Sequence, residues 1–425
     1  MSIVLEKDRV LLVEGPASVV IHEGRVNALG APLPTGKAVI IRKGKVLPLE
    51  AEENARLKVT SSNDHSAILV EGSTIPESWR RAISQIEEYK LSTTMVLGAS
   101  DCGKNTFCIA LANRLLKQNL RVAIVDGDVG QSDIGPPGAV SFSVIKQPVY
   151  DLFELDPNSV VFVGNTSPSA ITGRVLSALA ALNNEVRNEQ IPRLIVNTDG
   201  WVSDAEAVDF KLRVAKIFSP DAVVGIQNHE ELEPILSRLE SDGNNIIRVE
   251  TPPVVYHRSR EIRRELREQC FRKFLSNASI KTLPVGWLRL EHTFLGETDA
   301  DAAISNIVSQ LLKTSVVRCI STSEGLRVVL PRNTKVDKAS ILDTEKALKM
   351  SLRIVFEGDE KGLVVALLDK DRRFGGLGTV HSIDFRRGVI KLLTPYQRVP
   401  SIIQFGRIRL DESGKERGYT DDFEL

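Results

Sequence analysis

Apolar residues follow three successive rhythms along this chain. Up to about residue 70, short Val- and Ile-rich runs at 10–13, 18–22, 38–42 and 57–59 are cut by the turn signals Gly15-Pro16, Gly30-Ala31-Pro32 and Lys43-Gly44-Lys45. Short runs with that punctuation predict an all-β unit, a small sandwich or barrel. A helical pattern follows at 77–90. From about 91 to 313, short apolar strands at 94–97, 122–125, 160–163, 194–196 and 222–226 alternate with helical stretches, one of them at 105–117. Strands alternating with helices imply an α/β class with a mostly parallel, doubly wound sheet, whose ligand lies beyond the strands' carboxyl ends. After about 315 the short-strand rhythm returns at 327–330, 352–357, 363–368, 378–385, 389–393 and 402–410, and a polar tail after Asp411 is expected to fray. The division expected from this pattern is an N-terminal β domain (1–75), a central α/β domain (76–314) and a C-terminal β domain (315–425).

Composition narrows the function classes. Among 425 residues, Lys+Arg and Asp+Glu are both 55, so a globally basic nucleic-acid binder is excluded while a local basic face is not. Cys102, Cys108, Cys270 and Cys319 have neither metal-ligand spacing nor the density of a disulfide framework, and read as free thiols of a reducing compartment. The N-terminus carries charge where a signal peptide needs an apolar run, and no stretch is long enough to span a bilayer. A cytoplasmic protein that does not enter membranes is expected. The histidines form no metal-ligand pair at helical spacing, and no G-x-S-x-G elbow occurs.

The first candidate chemistry is the run Gly98-Ala99-Ser100-Asp101-Cys102-Gly103-Lys104-Asn105-Thr106. It fits G-x-x-x-x-G-K, follows a predicted strand and opens a predicted helix, the context a phosphate-binding P-loop requires. Backbone N–H groups and the helix N-terminus cradle phosphate there, and Lys104 adds a point charge for the β/γ-phosphates. Asn105 stands where Ser or Thr normally ligates Mg²⁺. Its amide oxygen is a hard donor, and Thr106 is a second candidate for the metal. The segment Val122 to Ser132 then ends an apolar strand in Asp126-Gly127-Asp128, where such proteins keep carboxylates for metal and nucleophile. Farther on, Arg258, Arg263 and Arg267 are spaced by five and four residues, near one face of a helix, within a stretch of seven basic residues against three glutamates. A solvated helix face laced by ion pairs is the plainer reading of that stretch.

Lys104, Asp128-Val129-Gly130-Gln131, Thr166-Ser167-Pro168, Thr198-Asp199-Gly200-Trp201 and the Arg-rich segment from Arg258 to Arg264 occur in this order. Together they resemble the polynucleotide 5′-hydroxyl kinases, most nearly the archaeal, minimal-length form, over essentially the whole chain. The resemblance implies a central P-loop kinase domain flanked by two small β domains. It also implies transfer of the ATP γ-phosphate, with Mg²⁺ or another divalent cation, to the 5′-OH end of single-stranded RNA or DNA. Asp128 matches the residue that accepts the hydroxyl proton and touches the metal's surroundings. Gln131 matches an active-site glutamine. Thr198, Gly200 and Trp201 match a clasp on the RNA end, and Arg258, Arg263 and Arg267 match lid arginines. RNA-processing proteins are implied as partners. Two rival readings stand beside this one: a non-catalytic ATP-binding scaffold in an RNA-processing complex, and a P-loop kinase for a small metabolite.

Overall fold

The structure, a computed structural model, describes residues 1–63, 66–254, 257–421 and 423. The chain divides into two compact units, Met1–Cys270 and Phe271–Leu425.

The first unit opens with two antiparallel sheets. One has the order Ser2–Leu5, Ala55–Ser61, Ala17–Glu23, Ala38–Ile41. The other runs Ala31–Pro32, Val26–Ala28, Val46–Ala51, Arg9–Glu14, Ala67–Glu71. In Ala55–Ser61 the residues Ala55, Leu57 and Val59 are buried while Arg56, Lys58 and Thr60 are exposed, the alternation of a sheet packed on one face. Their apolar side chains do not close a core of their own. One cluster runs from Leu5, Val13 and Leu57 through Trp79 to Phe107, Cys108 and Val122, so the N-terminal sheets share a core with the helix that follows the phosphate loop.

The central sheet has the order Ser159–Phe162, Ala139–Ile145, Val122–Asp126, Arg193–Asn197, Thr93–Gly98, Ala222–Gln227, Ile246–Glu250. All neighbours are parallel except at Ala139–Ile145, which is antiparallel to both of its neighbours. Every residue of Val122–Asp126 is buried, as in a sheet covered on both faces. Val96 enters the core shared with Lys104–Leu116, whereas Met95 and Leu97 enter a second core with Thr172–Asn188, Ala205–Phe218 and Glu233–Ser241. The sheet is therefore doubly wound, as its sequence pattern predicts. Two of its strands lie outside the apolar runs read from sequence. Ser141 and Ser143 interrupt Ala139–Ile145, and Arg248 interrupts Ile246–Glu250.

The second unit holds a sheet ordered Ser279–Pro284, Val389–Thr394, Phe374–Asp384, Leu363–Leu368, Ile402–Leu410, Arg289–Glu291. A three-stranded sheet, Arg318–Thr322, Gly325–Leu330, Leu352–Phe356, packs with helices Ala302–Leu311 and Lys338–Leu348. The tail expected to fray after Asp411 instead forms the strand Glu416–Tyr419, paired with Ile402–Leu410 and with Glu416 buried. Residues 422, 424 and 425 of that tail lie outside the described residues. No helix among the described residues is long and apolar enough to cross a membrane.

Candidate active site

The phosphate loop leaves strand Thr93–Gly98 and enters helix Lys104–Leu116 through Gly103, whose φ of 101° is left-handed. A Cβ there would also sit 3.0 Å from Trp79 Cη2, so both backbone and space call for glycine. Trp79 is fully buried beneath the loop, donating from Nε1 to Glu250 O at 2.7 Å and meeting Phe107 edge-on at 5.2 Å. No side chain caps the helix N-terminus, so its first N–H groups are open to an anion. Lys104 curls back over the loop and donates from Nζ to Gly98 O at 2.9 Å and Ala99 O at 2.8 Å. Cys102 is buried, and burial pushes its thiol up, which makes it packing rather than a nucleophile.

Asp126 and Asp128 stand at the carboxyl end of strand Val122–Asp126 with different surroundings. Asp126 is fully buried and accepts from Ser132 Oγ at 3.1 Å, Asp133 N at 2.8 Å and Ile134 N at 3.2 Å. Burial, reinforced by the negative charges of Asp128 and Asp133, pushes its carboxyl up to about 7. Asp128 lines the cavity and accepts from Gly130 N at 3.0 Å and Gln131 N at 2.9 Å. Burial, and then the charge of Asp199, raises its carboxyl too. The Gln131 side chain is turned to Gly130 O at 2.9 Å and reaches Arg263 O at 3.5 Å.

Asn105 is engaged through both ends of its amide. Its Nδ2 donates to Asp133 Oδ2 at 2.7 Å, and its Oδ1 accepts from Asn197 Nδ2 at 3.1 Å. Asp133 also accepts from Lys45 Nζ at 2.6 Å and Arg42 Nη2 at 2.9 Å. Burial alone would favour its neutral form, but those two cations hold it well below the usual carboxylate range. Asn197 Oδ1 is buried with no hydrogen-bond partner. Thr106 lines the same cavity.

The 198–201 segment is split between support and surface. Thr198 is buried, its hydroxyl donating to Val96 O at 2.8 Å, and does not line the cavity. Gly200 packs against the phosphate loop so closely that a Cβ would fall 2.5 Å from Ser100 Oγ. Trp201 lines the cavity, half-buried, with its ring 5.7 Å from Phe210 and Nε1 donating to Asp204 Oδ2 at 2.6 Å. Beneath it Lys211, fully buried, pairs with Asp199 Oδ2 at 2.7 Å, and burial lowers its ammonium pKa against that pairing.

Arg258, Arg263 and Arg267 converge on the cavity from the segment and helix that include Arg260–Phe274. Arg263 donates to Asp101 Oδ2 at 2.6 Å, and Arg258 approaches Asp101 Oδ1 at 3.4 Å and Gly44 O at 3.3 Å. The intrahelical pairing that a solvated face would show is found one residue on, between Arg264 and Glu268 at 3.1 Å. The cavity these elements enclose measures about 620 Å³ and is closed on the N-terminal side by Leu12, Glu14, Lys45, Pro48 and Ile68. That is the volume range of small-ligand and nucleotide sites. Lys45 and Asp133 line this site, and Arg42 and Lys211 hold the lining carboxylates of Asp133 and Asp199, but none of these four is singled out by any sequence pattern.

A sequence profile described as the mRNA cleavage and polyadenylation factor CLP1 P-loop matches residues 98–277. The polyribonucleotide 5′-hydroxyl-kinase of Methanocaldococcus jannaschii is 30% identical over 358 residues, covering 82% of this chain and 95% of the relative. This chain belongs to the polyribonucleotide 5′-hydroxyl-kinase family. The family member from Pyrococcus furiosus is 28% identical over 352 residues, 82% of this chain and 96% of the relative. The solved structure of the wild-type Clp1p–Pcf11p complex superposes with a TM-score of 0.67 at 12% identity, covering 96% of this chain and 97% of that one, a likeness of fold. Membership in a family of P-loop kinases implies ATP as the bound nucleotide.

Proposed function

We propose that the protein transfers the γ-phosphate of ATP to the 5′-hydroxyl of single-stranded RNA. The observation that carries this reading is the gathering of Lys104, Asp128, Trp201 and the three lid arginines around one cavity. A sugar hydroxyl is a poor nucleophile until its proton has an acceptor, and Asp128 is an acceptor whose raised pKa brings it toward working pH. Two backbone N–H bonds fix its orientation. Lys104 exchanges the Gly98 and Ala99 carbonyls for phosphate oxygens when nucleotide enters. Arg258, Arg263 and Arg267 supply planar guanidinium donors to the phosphoryl group in transfer. Trp201 offers a face for the terminal base, a sequence-tolerant contact.

Among the described residues no group of three or more His, Cys, Asp or Glu side chains is gathered to hold a metal alone. Mg²⁺ does not require one, because it takes one or two protein oxygens and completes its shell with phosphates and water. The Asp128 carboxylate and the Thr106 hydroxyl, which line the cavity, are hard oxygen donors that would fit this need, whereas Asp126 and Asn197 are buried and do not line it. The ion's contribution there is charge neutralisation on the β- and γ-phosphates. RNA-processing proteins are the proposed partners. Incubation with γ-labelled ATP and a 5′-hydroxyl oligoribonucleotide tests the proposal, and absence of label transfer across a range of divalent metals would sink it. The engaged Asn105 favours one alternative, an ATP-holding scaffold, which would show tightly bound, intact ATP and no turnover.

A further inference from the structure

In the second unit, strands Ser279–Pro284 and Arg289–Glu291 lie at opposite ends of one sheet, yet only the turn Val285–Trp287 and Leu288 separate them in sequence. The backbone of that connection is tied down on both sides. Val285 N donates to Gly388 O at 2.8 Å, Leu288 N to Val285 O at 2.9 Å and Arg289 N to Ser401 O at 2.9 Å. Trp287 is therefore held on a fixed turn, and it is 72% exposed. Among the described residues no hydrogen bond or ring contact engages its indole. A rigidly carried indole offers a stacking face at little ordering cost.

The same hydrogen bonds set arginines around the ring. Gly388 closes the hairpin loop 385–388, which carries Arg386 and Arg387, and Ser401 ends the loop 395–401, which carries Arg398. Arg386 and Arg398 are exposed, and among the described residues their guanidiniums make no ion pair. Arg387 reaches Asp384 only at 3.8 Å. Arg289, also exposed, approaches Glu291 at 3.0 Å, but that carboxylate already accepts from Arg372 at 2.8 and 2.9 Å and from Gln404 at 3.0 Å. Positive charge is thus left over beside an open indole, in a chain whose formal net charge is zero.

We propose that this face of the second unit binds single-stranded RNA, with Trp287 stacking on a base and Arg289, Arg386, Arg387 and Arg398 meeting the phosphates beside it. The inference rests on the RNA-substrate reading above and adds a contact apart from the acceptor end, since none of these residues lines the phosphate-loop cavity. Stacking tolerates any base and the backbone contacts are driven by charge, so the face takes RNA without regard to sequence. Titration of the full chain with a fluorescein-labelled oligouridylate, across a range of salt, tests this without turnover. Trp287→Ala should weaken binding about fivefold or more, and Trp287→Phe less, with an unfolding midpoint near wild type because the indole is exposed. Arg386→Gln combined with Arg398→Gln should lower the slope of log affinity against log salt by about 1. RNA affinity of Trp287→Ala equal to wild type, or a slope that the double arginine variant leaves unchanged, would overturn the proposal and leave the face to a protein partner. A wild-type chain that binds no RNA at any salt would instead overturn the RNA reading itself.

Discussion

Arg263 of helix Arg260–Phe274 donates to Asp101 of the phosphate loop at 2.6 Å, and the Asp101 side chain is only 6% exposed. The loop that cradles phosphate therefore also holds the arginines that would stabilise its transfer. Asp101→Asn removes the charge and keeps the shape. Because charge-assisted hydrogen bonds are about twice as strong as neutral ones, amide exchange in the first turn of Arg260–Phe274 should rise, and kcat/KM should fall about tenfold. Unchanged exchange would contradict the clamp.

Asp126 gives a pH signature. Its folded pKa of about 7 lies above the ordinary carboxyl value, so between roughly pH 4 and 7 the folded state binds more protons than the unfolded state. Stability from this group is full below that window and is lost as pH rises through it, by on the order of a few kcal/mol. Asp126→Asn cannot titrate. Relative to wild type, its unfolding midpoint should therefore be higher at pH 8 than at pH 5, and a constant difference across that range would refute the shift.

Gly200→Ala drives a methyl to within 2.5 Å of Ser100 Oγ and 2.7 Å of Ser100 N, and the second of these is backbone. The loop must move, at a cost of about 1–3 kcal/mol. ADP affinity and thermal midpoint should drop together. A variant with wild-type ADP affinity would show that the approach of 198–201 to the loop is unimportant for nucleotide.

Trp201→Ala should cost about 1–3 kcal/mol in affinity for a 5′-hydroxyl oligoribonucleotide, and Trp201→Phe less. ADP affinity should be unchanged in both. An equal loss of ADP and RNA binding would assign Trp201 to packing against Phe210 alone.

Many residues that line this cavity could be picked out from local sequence, because the P-loop, Asp128, Trp201 and Arg258, Arg263 and Arg267 each lie within short motifs. What stayed hidden was created by folding. Lys45 and Asp133 are 88 positions apart and Arg42 and Asp151 are 109 apart, and neither pair belongs to a pattern within one element. Burial decides the roles of Thr198 and Asp126, and a run of residue types does not state burial. The fold shows the same division. The doubly wound sheet follows from apolar periodicity, whereas helix Lys338–Leu348 buries only Thr344 and so leaves no stripe to find.

The most direct test of the central claim is phosphate transfer from γ-labelled ATP to two otherwise identical single-stranded RNAs, one ending in a 5′-hydroxyl and one in a 5′-phosphate. Label should appear only on the 5′-hydroxyl RNA, at its 5′ end, and Asp128→Asn should slow its appearance about 10²–10⁴-fold while still binding ADP. Label on neither RNA, or equal label from wild type and Asp128→Asn, would contradict it.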